Sequence, residues 1–396
     1  MNIIYQGLFT LIKSALTGEK LNLPEGFELE KAAPLIKRHA LIPLVYPGAI
    51  NCGIDPKAVL MQKMQVHYFR HLITSDRQMQ AVKKLCGAFE ENGIDYMLLK
   101  GVNMKSLYPK AEMRSMGDAD VLIRLDQYEQ IVPIMESLQY KKVKESVYDF
   151  VWQTPELYLE LHKRLYAPTQ TTLCGYFGTG WEIARKGEGH SYHMSREDEF
   201  AYVFSHMAKH FRIRGIGVRH FVDLYVYRKA YPEMDERKVR QIMSKLQMLD
   251  FYRNVCRTLD VWFEGRAGDD VTDMITEYVF ASGSFGTMEN KLYYQELTKT
   301  GQKKRKAHHS KAGSMFDSIF PSLSLMQDSY NILFRYPVLL PVYWPVRWVD
   351  VLIHRRRNVG EKLKIIRDMT DEKVQIRERA MNMMGVSFDC VDDEED

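Results

Sequence analysis

Apolar residues near the start of the chain recur at helical spacing. Ile4, Leu8, Leu11, Ala15 and Leu16 form one stripe, and Gly18 ends it. Asp55-Pro56 reads as a helix cap followed by a first-turn proline. From there to Gly93 a single face is regularly apolar, with Met79, Val82, Leu85 and Phe89. That run is up to 38 residues, long enough to bend or split. At residue 94 the period changes. Tyr96-Met97-Leu98-Leu99 is a short apolar run ending at Lys100-Gly101, the signature of a buried strand. A short helical piece, Asn103 to Leu107, and a turn at Tyr108-Pro109 follow. Val121-Leu122-Ile123, preceded by Asp118-Ala119-Asp120, predicts a second strand. Asp126 should cap a helix reaching about Gln139, kinked at Pro133. Residues 140–163 hold further strands, the clearest being Leu157 to His162. Helical spacing returns over 197–300, with aromatic faces at Phe200, Phe204, Phe221, Tyr225, Phe251 and Trp262. Residues 301–313 read as a solvated loop, and the acidic tail from Asp389 as frayed. The expected fold class is α+β: a small mixed-sheet core flanked by N-terminal and C-terminal helical regions. The expected divisions are 1–93, 94–165, 166–300 and 301–396.

Composition narrows the class without naming it. Of 396 residues, 45% are hydrophobic and 27% charged, which excludes a disordered chain, a collagen-like fibre and a membrane bundle. Lys plus Arg is 55 against 51 Asp plus Glu, a formal charge of +4. That is too small to announce a nucleic-acid coat. Cys52, Cys86, Cys174, Cys256 and Cys390 include no Cys-x-x-Cys pair and read as free thiols in a reducing compartment. With neither a secretory signal nor a long apolar span in view, the expected location is cytoplasmic.

Asp118 and Asp120 lie two apart, so on a strand they share a face. Two carboxylates so placed repel unless a cation lies between them, and hard divalent cations take such oxygen ligands. Two solvated acids in a turn would give the same local pattern. Two other segments add to it. Lys100-Gly101 ends a strand and opens a helix, where a glycine lets backbone N–H groups approach a phosphate and a lysine adds charge. Glu160 and His162 lie two apart on a strand whose other face is Leu159 and Leu161. Together these segments put three carboxylates beside a phosphate-cradling turn, an arrangement suited to nucleotide chemistry with two metal ions.

Leu-Lys-Gly at 99–101, Leu-Tyr-Pro at 107–109, the run from Arg114 through Gly117-Asp118-Ala119-Asp120 to Ile123, and Leu-Glu-Leu-His at 159–162 carry a resemblance. The chain resembles the bacterial nucleotidyltransferase-like proteins grouped as uncharacterised nucleotidyltransferases, a branch of the polymerase-beta-type superfamily. The match is dense over roughly 94–165. It extends weakly to His206–His210, Asp223-Leu224 and Leu340–Trp344. The superfamily pattern has a second small residue after the glycine and about a dozen residues before the acids. Here Val102 follows Gly101, and 16 residues separate Gly101 from Asp118. The resemblance implies a nucleotidyltransferase core that moves a nucleoside monophosphate from an NTP, ATP first among them, to an acceptor. The acceptor would be a small molecule, a sugar or a peptide. Mg²⁺ or Mn²⁺ would be held by Asp118, Asp120 and Glu160. Lys100, Gly101 and Arg114 would bind the triphosphate, and Glu160 would take the acceptor proton.

The remaining signals are weaker. His206 and His210 share a helix face and, with His162, are candidates to line an acceptor pocket. Their spacing also suits zinc, but no third ligand is evident, and His67 and His71 repeat it. Asp223, in an apolar helix, reads as the partner of a His or Arg. Lys303–Lys306 reads as a solvated loop and not as a nucleic-acid site. Residues 332–357 combine three prolines, two tryptophans and an arginine cluster, a weak membrane-interface signal. They read instead as a proline-broken arm that buries Trp344 and Trp348. Two rival functions share the core residues. One is a metal-dependent glycosyltransferase using Asp118 and Asp120. The other is a silent nucleotidyltransferase fold that only binds.

Overall fold

The computed structural model describes residues 2–305, 319–321, 323, 326, 330, 332–354 and 364–386. The chain forms two compact units. The first is Met1–Phe211, Gly215–Gly286 and Met383–Val386, and the second is the remainder.

The first unit opens with α1 (Ile3–Thr17), α2 (Leu29–Arg38) and α3 (Ile42–Asn51). Asn2 caps α1 by accepting the Ile4 amide, and Gly18 closes it at φ +75°. Helices α1 and α3 touch backbone to backbone. A Cβ built at Gly48 would stand 1.9 Å from the Leu11 carbonyl oxygen. The long helix α4 runs Val59–Glu91 and begins later than its sequence cap suggests. Asp55 instead accepts the Lys57 amide at 2.9 Å, closing a turn ahead of the helix.

Then come β1 (Tyr96–Leu98), α5 (Lys100–Leu107), β2 (Asp118–Ile123), α6 (Tyr128–Ser137), β3 (Lys141–Glu145), β4 (Asp149–Gln153) and β5 (Tyr158–His162). Asp126 lies in a 3₁₀ turn, Leu125–Gln127, ahead of α6 and does not cap it; Pro133 is carried inside that helix. After α7 (Thr171–Phe177), two short strands, β6 (Arg185–Lys186) and β7 (Ser191–His193), join the sheet from the expected 166–300 division, ahead of the helical spacing that starts at 197. The seven-stranded order is β3-β4-β5-β2-β1-β7-β6. The β2–β5 and β1–β7 pairs are parallel and the others antiparallel. The fold is therefore α+β with a mixed sheet, as the pattern predicts.

Strand alternation decides what each face does. Ala119, Val121, Ile123, Leu159, Leu161, Phe150 and Trp152 turn to one side. There they pack on Val82, Leu85 and Phe89 of α4 and on Ile131, Ile134 and Met135 of α6. Asp118, Asp120, Glu160 and His162 occupy the alternate positions, on the opposite face. Five helices complete the unit: α8 (Arg196–Ile213), α9 (Val218–Ala230), α10 (Glu236–Lys245), α11 (Leu249–Phe263) and α12 (Asp270–Ser282). Their interior is aromatic: Phe200, Phe204, Phe211, Phe221, Tyr227, Phe251 and Tyr252 are fully buried.

The second unit contains α13 (Met288–Arg305), which carries helix through the first residues of the expected 301–313 loop; 306–313 lie outside the described residues. The expected broken arm is instead a 3₁₀ turn, Pro337–Leu339, running into a helix, Leu340–His354, with Pro345 inside it. Pro341 falls in the first turn of that helix, where its missing N–H costs nothing. Trp344 and Trp348 are half-buried, not buried. Their indole N–H groups donate to Pro321 O and Ile319 O at 3.0 and 2.7 Å, and Phe320 packs edge-on against both rings. A last helix runs Asp371–Met383. The arginine cluster at 355–357 and the tail from Asp389 lie outside the described residues. No helix among the described residues is long and apolar enough to cross a membrane. Cys52, Cys86, Cys174 and Cys256 are free thiols.

Candidate active site

Register brings the acids together. In the parallel β2–β5 pair, Asp120 stands opposite Glu160, Leu122 opposite His162 and Asp118 opposite Tyr158. The Asp120 carboxylate, the Glu160 carboxylate and the His162 imidazole each offer one ligand atom within 4.8 Å of the others. His162 Nε2 donates to Asp120 Oδ1 at 2.9 Å and lies 3.5 Å from Glu160 Oε2. Its Nδ1 is buried without a hydrogen-bond partner. Lys100 Nζ also donates to Asp120 Oδ1, at 3.2 Å, and stands 5.5 Å from the centre of the Tyr202 ring on α8.

These neighbours polarise the site. Burial would raise the Asp120 carboxyl, but the Lys100 charge and the His162 hydrogen bond overcome it and hold the group well below the usual carboxylate range. Asp118 goes the other way. Burial, then repulsion from Asp120 and Glu160, pushes it up. Burial also opposes the charge on His162, yet its hydrogen bonds to Asp120 and Glu160 raise the imidazole to about 9. Lys100 is likewise raised against its burial, chiefly by Asp120. The donor set fits a hard divalent cation: the Asp120 and Glu160 carboxylates converge from two strands, while Asp118, on the same face of β2, is not one of the three grouped ligands.

The backbone at Lys100 is unusual. Four residues other than glycine have positive φ among the described residues: Ala40, Lys100, Gln139 and Gln247. Three of them follow the ends of α2, α6 and α10, where left-handed caps are ordinary. Lys100, at φ +30°, opens a helix instead. Helix α5 starts at this residue, earlier than the Asn103 start expected from sequence.

Gly101 is buried, and its carbonyl accepts Arg114 Nη1 at 3.1 Å. The Arg114 guanidinium is buried and engaged throughout. Nε and Nη2 donate to Asp223 Oδ1 and Oδ2 on α9 at 2.8 and 3.0 Å. Arg114 therefore braces the β1–α5 turn from behind. The resemblance implies a triphosphate ligand here, whereas the guanidinium is committed to Asp223 and the Gly101 carbonyl. Tyr108 OH adds a 2.7 Å hydrogen bond to Asp223. Burial works against the Asp223 charge, but Arg114 holds its carboxyl below the usual value.

The histidines separate in role. His162 belongs to the acid cluster. His206 lies one helical turn beyond Tyr202 on α8, half-buried, and its basicity falls well below normal through burial and then the Lys100 charge. His210 follows, with its Nε2 3.1 Å from that of His206. Among the described residues this pair belongs to no three-ligand metal group. Tyr202 and Lys105 carried no sequence signal. Lys105 is fully buried and donates to Ser75 Oγ and Arg114 O at 2.8 and 2.7 Å, supporting the loop that precedes β2.

No curated protein matches the chain. Among solved structures it is similar to two of one protein. The first is a solution structure of the antibiotic-resistance factor ANT(2'')-Ia: 14% identity, 48% of this chain and 100% of that one, TM-score 0.33. The second is a crystal structure of ANT(2")-Ia in complex with adenylyl-2"-tobramycin: 14% identity, 43% and 98%, TM-score 0.33. The family model described as "Uncharacterised nucleotidyltransferase" matches residues 25–264, which span the whole seven-stranded sheet and the helices α2 to α11 that flank it. The chain belongs to this nucleotidyltransferase family.

Proposed function

We propose that the protein transfers a nucleoside monophosphate from an NTP, ATP first among the candidates, to a hydroxyl or similar group of a small-molecule, sugar or peptide acceptor. The observation that carries this reading is the register of β2 and β5, which sets Asp120 opposite Glu160 with Asp118 two positions along on the same face. Asp118, Asp120 and Glu160 would hold Mg²⁺ or Mn²⁺. Such an ion, when bound, draws charge from the phosphoryl oxygens during in-line displacement, and the two-metal form of the chemistry needs two cationic positions.

The chain's own groups would do the rest. The Lys100-Gly101 turn supplies an ammonium and backbone N–H groups to the phosphates, and Arg114 keeps that turn in place. His162, hydrogen-bonded to Asp120 and close to Glu160, fixes the orientation of both carboxylates. Glu160 is half-buried and is the group best placed to accept the acceptor proton. His206 and His210 would line the acceptor side.

The test is an acceptor panel with α-phosphate-labelled NTPs and Mg²⁺ or Mn²⁺, with self-labelling scored in parallel. Transfer of label that Asp118→Asn abolishes supports the reading. Nucleotide binding without transfer across the panel would leave a binding module, and transfer from a sugar nucleotide would point to the glycosyltransferase reading.

A further inference from the structure

Asp120 Oδ1 already receives two donors, His162 Nε2 at 2.9 Å and Lys100 Nζ at 3.2 Å. The Asp120 oxygen is thus shared by an ammonium and an imidazole before any ion arrives. A pair of divalent ions would bring four more positive charges and would need free oxygens on Asp120 for both. The ammonium holds an Asp120 oxygen that a bridging pair of ions would use. It is not there by accident of a long flexible chain. Its side chain is largely enclosed, with the Tyr202 ring close by, and its backbone is held at φ +30° where a helix begins. Glycine would take that backbone position more readily, so a lysine here carries a local conformational cost.

We infer that Lys100 takes the place of one of the two cations of nucleotidyl transfer, so that the protein works with a single divalent ion. The inference rests on the function proposed above. It gives Lys100 a double contact, with Asp120 on one side and a phosphate oxygen on the other, and leaves Asp118 and Glu160 for the remaining ion. A compact ammonium with three donors suits that bridge.

The test counts ions and does not read turnover. The full chain is equilibrated with Mn²⁺ and α,β-methylene ATP, and free Mn²⁺ is measured by electron paramagnetic resonance. The expected result is one bound Mn²⁺ per chain in the wild type. Lys100→Met keeps the length and removes the charge; it should bind a second Mn²⁺, or bind the first at least ~10-fold more tightly, since Asp120 loses a competing cation. Lys100→Arg keeps the charge and should bind one. Two ions per chain in the wild type would overturn the inference while leaving nucleotidyl transfer standing. Unchanged stoichiometry and affinity in folded Lys100→Met would overturn it as well. If that variant does not fold, the wild-type and Lys100→Arg counts decide. No bound Mn²⁺ in the wild type, with or without the nucleotide, would remove the functional reading and the inference together.

Discussion

Asp223→Ala should be among the most damaging single substitutions in the first unit, although the residue touches none of the acids. The wild-type carboxylate meets the Arg114 guanidinium at 2.8 and 3.0 Å and accepts Tyr108 OH at 2.7 Å. The two charged side chains are only 9% and 4% exposed, so water cannot replace either partner. Removing one member of such a pair strands a buried charge, which costs about 3–5 kcal/mol, more than the pair itself contributes. The Tyr108 hydroxyl loses its acceptor in the same step, but the effects share one site and do not add. At ~2–3 °C per kcal/mol for a unit of this size, the melting temperature should fall by roughly 6–15 °C. The assay is urea and thermal unfolding followed by far-ultraviolet circular dichroism. The decisive partner is the double variant Asp223→Ala with Arg114→Leu, which removes the stranded charge and should recover at least half of the loss. If Asp223→Ala costs less than ~1 kcal/mol, or the double variant is worse than the single, the stranded-charge reasoning is wrong.

Asp118→Asn and Asp120→Asn should each lower kcat by at least ~10²-fold, about 2.7 kcal/mol of barrier, with a smaller change in nucleotide affinity; steady-state kinetics on an identified acceptor would show it. Their double variant should be little worse than either single, because both serve one site. His39 is fully buried, with Nε2 against Phe280 O at 3.2 Å, and burial lowers it to about 4. Its neutral form is the folded form, so its stabilising contribution is complete above about pH 6.5. That contribution is lost as pH falls from there towards 4, at up to ~1.4 kcal/mol per pH unit. Urea midpoints across that range should fall less steeply in His39→Asn, and parallel slopes would refute the assignment. Gly48→Ala should destabilise by about 1–3 kcal/mol or more, since its methyl group meets the Leu11 carbonyl and helix backbones do not yield as side chains do; an unchanged unfolding midpoint would contradict the close contact of α1 and α3.

The centre of the sheet was legible because its strands are apolar runs with punctuation. Tyr96–Leu99, Asp118–Ile123 and Leu157–His162 are adjacent, and the spacing of two between acids translates directly into a shared face. What sequence could not supply was long-range. Nothing local ties Arg114 to Asp223 across 109 positions, and a buried arginine looks the same in sequence as one awaiting a phosphate. Strands β6 and β7 escaped notice because Arg185-Lys186 and Ser191–His193 are short and polar, held by backbone pairing to β1 and to each other and not by an apolar face. The prolines at 337, 341 and 345 argued against helix over the first half of that segment, yet only the 3₁₀ turn and a first-turn position absorb the first two, and the third is tolerated inside.

The two ends of the seven-stranded sheet have a consequence for the protein's behaviour at high concentration. One rim is β3, with Lys141, Lys142 and Lys144 and a register shift against β4 between Lys142 and Lys144; the other is β6, only Arg185 and Lys186 long. An unpaired strand is a template for another chain, and a second molecule approaching either rim edge-on would have to bring like charges together along a kinked or very short ladder. Polymerisation through the sheet is thereby disfavoured at both rims. Lys142 also pairs with Glu145 and lies over the Phe150 ring, but threonines at Lys141 and Lys144 alone would weaken that protection without touching the core, so aggregation during expression, and not loss of fold, is the defect such a variant should show.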